Sequence, residues 1–157
     1  MLIIGIDPGR DMGFCIIDFE NNQKTLVSFG TWMDTSKGKI HYDDRILMLA
    51  ARLHNLLIEK TGMIAALAYE GGFIGKNPRQ AMRLEKIRGM IMGVCYMLNI
   101  FSYEIPHTEA KKNLLNKGNA SKEETVEKIK AVFGLSEIDH NAADSVSVAL
   151  AYIERTV

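Results

Sequence analysis

Proline is scarce, three in 157 residues, and no Pro-, Gly- or Ser-rich stretch interrupts the chain. Nothing therefore reads as a linker, a repeat or a low-complexity tract. With this length, residues 1–157 are expected to form one domain, large enough to bury a real core. Cysteine is rarer still. Cys15 and Cys95 lie in apolar surroundings without metal-ligand spacing, which excludes a disulfide scaffold and a zinc cluster and fits buried thiols in a reducing compartment. Long apolar runs are missing as well. Residues 90–101 are too few to span a bilayer and are broken by Asn99. The opening MLIIGIDPG has no basic lead and soon meets Asp7, so a signal peptide is not expected. These absences predict a cytoplasmic protein with no membrane partner. Net charge is absent too, with 19 Lys and Arg balancing 19 Asp and Glu. The whole-molecule field does not announce a polyanion.

Local charge says more. Residues 76–88 carry Lys76, Arg79, Arg83, Lys86 and Arg88 against Glu85 alone, and residues 111–122 carry Lys111, Lys112, Lys117 and Lys122 with no acid. Solvated helix faces would look the same, so these clusters need a second reason to imply phosphate binding.

Hydrophobic patterning yields a definite order of elements. Residues 2–6 form an apolar run ended by Asp7-Pro8-Gly9, a buried strand. Residues 13–18 and 26–32 continue it as an antiparallel meander around the polar turn at 20–23. Ile46, Leu49, Leu53, Leu56 and Leu57 make a helical stripe over 42–60, with Gly62 as its expected cap. A strand over 65–70 ends on Glu70 and two glycines. Pro78 opens a helix reaching about 98, on which Gly89 and Gly93 lie four apart. The glycines would let a second copy approach closely, with Met90, Ile91, Met97 and Leu98 as the expected apolar surface, unless the helix simply lies on its own sheet. A fifth strand spans 102–105, and a short helix runs from Glu109 to Gly118. Ser121-Lys-Glu-Glu124 is a capping-box pattern for the next helix, stopped by Gly134. A last helix covers about 141–155. Three meander strands followed by strand–helix alternation predict an α/β fold: one mixed sheet of about five strands, flanked by helices.

Ligands gather at strand ends in such sheets, and two acids stand there. Asp7 and Glu70 each follow four residues of apolar strand, where a carboxylate is poorly solvated unless paired. Asp144 sits three residues after Asn141 on one helix face, among small apolar neighbours. Acids at element ends facing a packed interior suit hard divalent ions such as Mg²⁺. Two such ions roughly 4 Å apart can clamp the attacking and leaving oxygens of a phosphodiester. The basic clusters then acquire their second reason, and Phe73 in the glycine-rich loop after Glu70 becomes a candidate for stacking on a base.

Four blocks together resemble the RuvC family of Holliday-junction resolvases. Gly5-Ile-Asp-Pro-Gly9 with Gly13-Phe-Cys-Ile-Ile resembles the first hairpin. Tyr69-Glu70-Gly-Gly-Phe73 resembles the Glu-x-x-Phe segment, Arg88-Gly89 the pair on the following helix, and Ala142-Ala143-Asp144-Ser145 the closing acidic stretch. The resemblance implies an RNase H-like fold, a homodimer, two Mg²⁺ or Mn²⁺ ions per active site, and paired nicks in four-way and other branched DNA. Asp7, Glu70 and Asp144 match the family's catalytic, metal-binding carboxylates. Phe73 matches the aromatic at the opened junction centre, and Lys111 and Lys122 match DNA-binding lysines. Lys76, Arg79, Arg83 and Lys112 join them as DNA contacts on charge. One position departs. The family's fourth carboxylate, or a histidine, is here Asn141, which keeps an oxygen donor but lacks the charge. Two readings follow: a nuclease with one weaker metal site, or a junction-binding protein impaired in cutting. A third is an RNA-processing nuclease like the YqgF proteins, which open with a similar motif. Asp139 and His140 would compensate for the charge missing at Asn141 if the last helix starts differently. The commoner role is a helix cap for Asp139 and a partly exposed turn residue for His140.

Overall fold

A computed structural model of the chain describes residues 1–35, 40–72 and 77–156. The elements follow the expected order: β1 (Leu2–Asp7), β2 (Met12–Glu20), β3 (Gln23–Trp32), α1 (Tyr42–Ile58), β4 (Ile64–Glu70), α2 (Pro78–Met97), β5 (Ser102–Ile105), α3 (His107–Leu115), α4 (Lys122–Phe133) and α5 (His140–Thr156). The five strands form one sheet in the order β3-β2-β1-β4-β5. β1 pairs antiparallel with β2 and parallel with β4, and β4 pairs parallel with β5. The meander is therefore antiparallel and the remainder parallel, as the pattern implied.

Local chemistry explains the boundaries. The β2–β3 hairpin turns on Asn21 and Asn22, with φ of 50° and 62°, the left-handed pair that matches strand twist and that asparagine tolerates. Ser121 and Glu124 close the capping box reciprocally, and Gly134 ends α4 at φ 65°. Two ends differ from expectation. α1 stops at Ile58, and Gly62 (φ 87°) belongs to the turn beyond it rather than to the cap. α3 begins at His107, directly after Pro106, and ends at Leu115 because Asn116 adopts φ 59°. A left-handed asparagine stops the helix before Gly118 is reached.

Strand alternation divides the core. Ile4, Ile6, Met12, Ile16, Leu67 and Tyr69 face α1 and α2. Ile3, Cys15, Ile17, Phe19 and Ala66 face α5 and α4, while Ala68 and Ile105 meet α3 and α5. Cys15 and Cys95 are free and lie in different core layers. Burial pushes both thiols up to about 12. α5 is buried at every position from Ala142 to Ala151, since it lies between the sheet and the α3–α4 layer. Small side chains suit a helix enclosed on both sides.

On α2 the structure corrects one expectation. Ile91 is fully buried in the chain's own core, and Met90 and Leu98 pack against it. Of the four expected residues only Met97 faces outward, joined there by Met82, Met92 and Tyr96. Helical period decides this, because Ile87, Ile91, Val94 and Cys95 claim the inner stripe. No helix among the described residues is long and apolar enough to cross a membrane.

Candidate active site

Period-two alternation places Asp7 on the side of Ile3 and Gly5, and Glu70 on the side of Ala66 and Ala68. Both acids thus end adjacent parallel strands on the face covered by α5. α5 in turn carries Asp144, 7% exposed, near its own N-terminus. Two glycines permit this close approach. A Cβ on Gly5 would lie 2.1 Å from the Ser145 carbonyl oxygen, and one on Gly13 would lie 2.0 Å from that of Asn141. The first turn of α5 rests directly on β1 and β2.

Asp139 fixes where that helix begins. Its Oδ1 accepts from the backbone N–H groups of Asn141 and Ala142, each at 3.0 Å, and from the Thr31 hydroxyl at 2.6 Å. Asp139 is the helix cap, as expected, and is occupied in that role. His140 is exposed.

The three acids share one electrostatic environment. Burial pushes the Asp7 carboxyl well above the usual range, with repulsion from Glu70 and Asp144 adding to it; Lys122 and Arg88 oppose the shift. Asp144 is raised by burial and then by Glu70, against Lys122, Lys111 and His107. Burial and mutual repulsion together disfavour the charged forms of these acids. Among the described residues, however, no three His, Cys, Asp or Glu side chains already form a group that could hold an ion. The acids feel one another's charge without making a closed cage.

Several neighbours were not anticipated in these roles. Arg88 is 6% exposed; its Nε donates to the Glu70 carbonyl oxygen at 3.0 Å and its Nη1 to Glu85 Oε1 at 2.6 Å. It secures the end of β4 from the α2 side. His107 was missed altogether. Its Nδ1 lies 3.0 Å from Glu70 Oε1, and that hydrogen bond raises the imidazole pKa. The available signal was position: His107 closely follows the end of the third parallel strand, as Asp7 and Glu70 end the other two.

The proposed DNA contacts separate into groups. Lys122 is exposed at the start of α4 and acts on both Asp7 and Asp144. Lys111 is 7% exposed and turned inward, its ammonium donating to the Ala120 carbonyl oxygen at 2.6 Å. Lys112 is exposed elsewhere, lining a groove of about 580 Å³ with Lys24, Lys128 and Glu154. Arg79 and Arg83 line a cleft with Arg10 and Tyr42 at the N-terminal ends of α1 and α2. The Arg83 guanidinium lies 5.1 Å from the Tyr42 ring centre. Phe73 and Lys76 lie outside the described residues.

The match to known families decides the relationship. Residues 3–152 fit the family model of the crossover junction endodeoxyribonuclease RuvC. The chain belongs to the RuvC family. Among relatives, RuvC of Finegoldia magna is 28% identical over 98% of this chain and 93% of its own. RuvC of Caldicellulosiruptor saccharolyticus is 29% identical over 98% and 92%. The Thermus thermophilus RuvC structure superposes with a TM-score of 0.84 at 21% identity, over 99% of this chain and 95% of that one. The same protein in complex with a Holliday junction substrate gives 0.86, over 99% and 94%. At that identity the superposition establishes the fold, which is the RNase H-like mixed sheet of RuvC.

Proposed function

We propose that this RuvC-family chain is a metal-dependent endonuclease, one RNase H-like domain over residues 1–157, that resolves four-way and related branched DNA by paired nicks. The observation that carries the reading is the convergence of Asp7, Glu70 and Asp144 from β1, β4 and α5 on one face, each contributing to the electrostatics of that corner. Family membership makes a crossover junction the substrate, and the relative solved with a Holliday junction shares this fold over nearly its whole length.

The donor set suits a hard divalent cation: carboxylate oxygens that burial and mutual repulsion disfavour when bare. Asp7, Glu70 and Asp144, with the Asn141 amide oxygen, would hold Mg²⁺ or Mn²⁺, two ions per active site. Such ions neutralise charge on the scissile phosphate and make a water nucleophilic. Lys122 faces the same acids and binds the approaching backbone. Arg88 keeps the end of β4 in place. Lys111 holds the Ala120 carbonyl and adds positive potential at Asp144. Arg79 and Arg83, with Lys76 and Lys112, contact phosphates of the arms, and Phe73 stacks at the junction centre. Two copies, pairing through the outward face of α2, supply the symmetric nicks in the cytoplasm.

The test is cleavage of a synthetic four-way junction in Mn²⁺. Asp7→Asn and Glu70→Gln should bind the junction nearly as the parent does and lose cleavage, since ligands serve chemistry while cations supply affinity. Either variant cutting at the parental rate would refute the metal-site assignment. The neutral amide at Asn141 favours a second reading, in which the chain binds junctions but cuts them weakly. Asn141→Asp should then raise cleavage at limiting Mn²⁺ and leave binding unchanged.

A further inference from the structure

Glu70 is held at two levels. From the α2 side, Arg88 Nε hydrogen-bonds its backbone carbonyl at 3.0 Å and so fixes where β4 ends. From the α3 side, His107 Nδ1 lies 3.0 Å from Oε1 of its carboxylate. Nothing else hydrogen-bonds that carboxylate among the described residues. Its orientation therefore depends on one imidazole.

Helix α3 does not require this histidine for its own sake. The helix starts behind Pro106 with no side-chain capping hydrogen bond, and His107 is its first residue. A serine or aspartate would serve a helix start better. The imidazole instead reaches back to the adjoining strand end, where Lys111 from its own helix and Asp144 from α5 also act on it. It is half-buried, 37% exposed at the side chain, so the contact is within the site rather than in the core.

We propose that His107 is a positioning residue for the metal site: its Nδ1–H donates to Glu70 Oε1 and sets the orientation in which that carboxylate meets the ion. A carboxylate acceptor fixes the tautomer with the proton on Nδ1. Carboxylates that ligate metals are commonly held by such outer partners, and loss of one typically weakens metal binding 10–100-fold. The proposal rests on the metal-site reading above and adds to it a group that contributes no carboxylate.

The experiment measures Mn²⁺ affinity without DNA, from the electron paramagnetic resonance of free Mn²⁺, for the parent, His107→Ala and His107→Asn. Asparagine places an amide N–H close to where Nδ1–H stands. His107→Ala should bind Mn²⁺ roughly tenfold or more weakly. His107→Asn should recover most of that loss, and both variants should match the parent in junction affinity and melting temperature in EDTA. Parental Mn²⁺ affinity in His107→Ala would overturn the positioning role and leave the metal site standing. An asparagine variant as weak as the alanine variant would overturn the hydrogen-bond account. Absence of Mn²⁺ binding in the parent itself would remove the metal-site reading and this assignment with it.

Discussion

At the scale of the residue, Asp7 is the clearest case of a side chain whose comfort was given up. Its carboxyl is raised well above the ordinary carboxylate value of 3.8 by burial, then by Glu70 and Asp144. A raised folded-state pKa in an acid means that the native state holds its proton more tightly than the unfolded chain. Stability therefore falls as pH rises from near 3.8 through the folded value, and the full penalty applies above it. Asp7→Asn should raise the melting temperature of the metal-free protein at pH 8 and give little gain near pH 3.5. Each kcal/mol recovered is worth roughly 2–4 °C in a domain of this size. Calorimetry in EDTA at the two pH values checks this, and a variant no more stable than the parent at pH 8 would contradict it. The cysteines make a second residue-scale prediction. With thiols buried and pushed up to about 12, neither Cys15 nor Cys95 should react with a disulfide reagent at pH 8 until the protein unfolds. Rapid labelling of native protein would count against their placement.

At the scale of the element, α5 is the organiser. It touches every strand of the sheet as well as α3 and α4, and it brings Asn141 and Asp144 to the ends of β1 and β4. Gly13 has no room for a side chain there: its Cβ would stand 2.0 Å from the Asn141 carbonyl oxygen and 2.3 Å from the carbonyl carbon. These are backbone atoms, so the helix itself must retreat. Gly13→Ala should cost roughly 1–3 kcal/mol of stability as overpacking does. It should also depress cleavage at temperatures where the variant remains folded, with junction binding retained. Normal cleavage by a folded Gly13→Ala protein would show that the first turn of α5 need not sit where it does. Gly89 on α2 is the opposite case. Nothing within 4 Å would meet its Cβ, and it is exposed. Within one chain, Gly89→Ala should stabilise by up to about 1 kcal/mol through helix propensity. If two copies meet across this face, the same change should weaken the dimer. Sedimentation velocity against melting temperature separates the two effects, and a monomeric parent at micromolar concentration with and without junction DNA would remove the dimer.

At the scale of the whole molecule, function depends on where a neutral chain concentrates its charge. Lys122 is exposed at the start of α4 and its charge acts on Asp7 and Asp144, whereas the Lys111 ammonium is committed to the Ala120 carbonyl. The two lysines should accordingly fail in different ways. Lys122→Ala should weaken binding to all junction sequences about equally and shallow the slope of log K against log salt by roughly 0.9, the value of one phosphate contact. Lys111→Ala should lower stability, because the Ala120 carbonyl loses its partner, and should change the salt slope less. Filter binding across a salt series reads both, and identical slopes for the parent and Lys122→Ala would exclude Lys122 from the DNA interface.

The order of ten elements, the capping box at Ser121 and Glu124, the stop at Gly134 and the acids at two strand ends were all legible in the chain. These are short-range signals: alternation of two, a period of 3.6, caps spanning three or four residues. The same local rules placed Asp139 as the cap of α5. Tertiary structure alone decided what lies across from what. His107 meets Glu70 from 37 residues away, and Thr31 reaches Asp139 across 108. Strand order brings the ends of β1, β4 and β5 side by side, and nothing in the local pattern of the third end distinguished its histidine. Which way Lys111 turns, which apolar residues of α2 face outward, and why Gly5 and Gly13 must stay bare likewise depend on the helix or loop packed opposite. Periodicity assigns a residue to a face, but only packing supplies the neighbour that gives it a role.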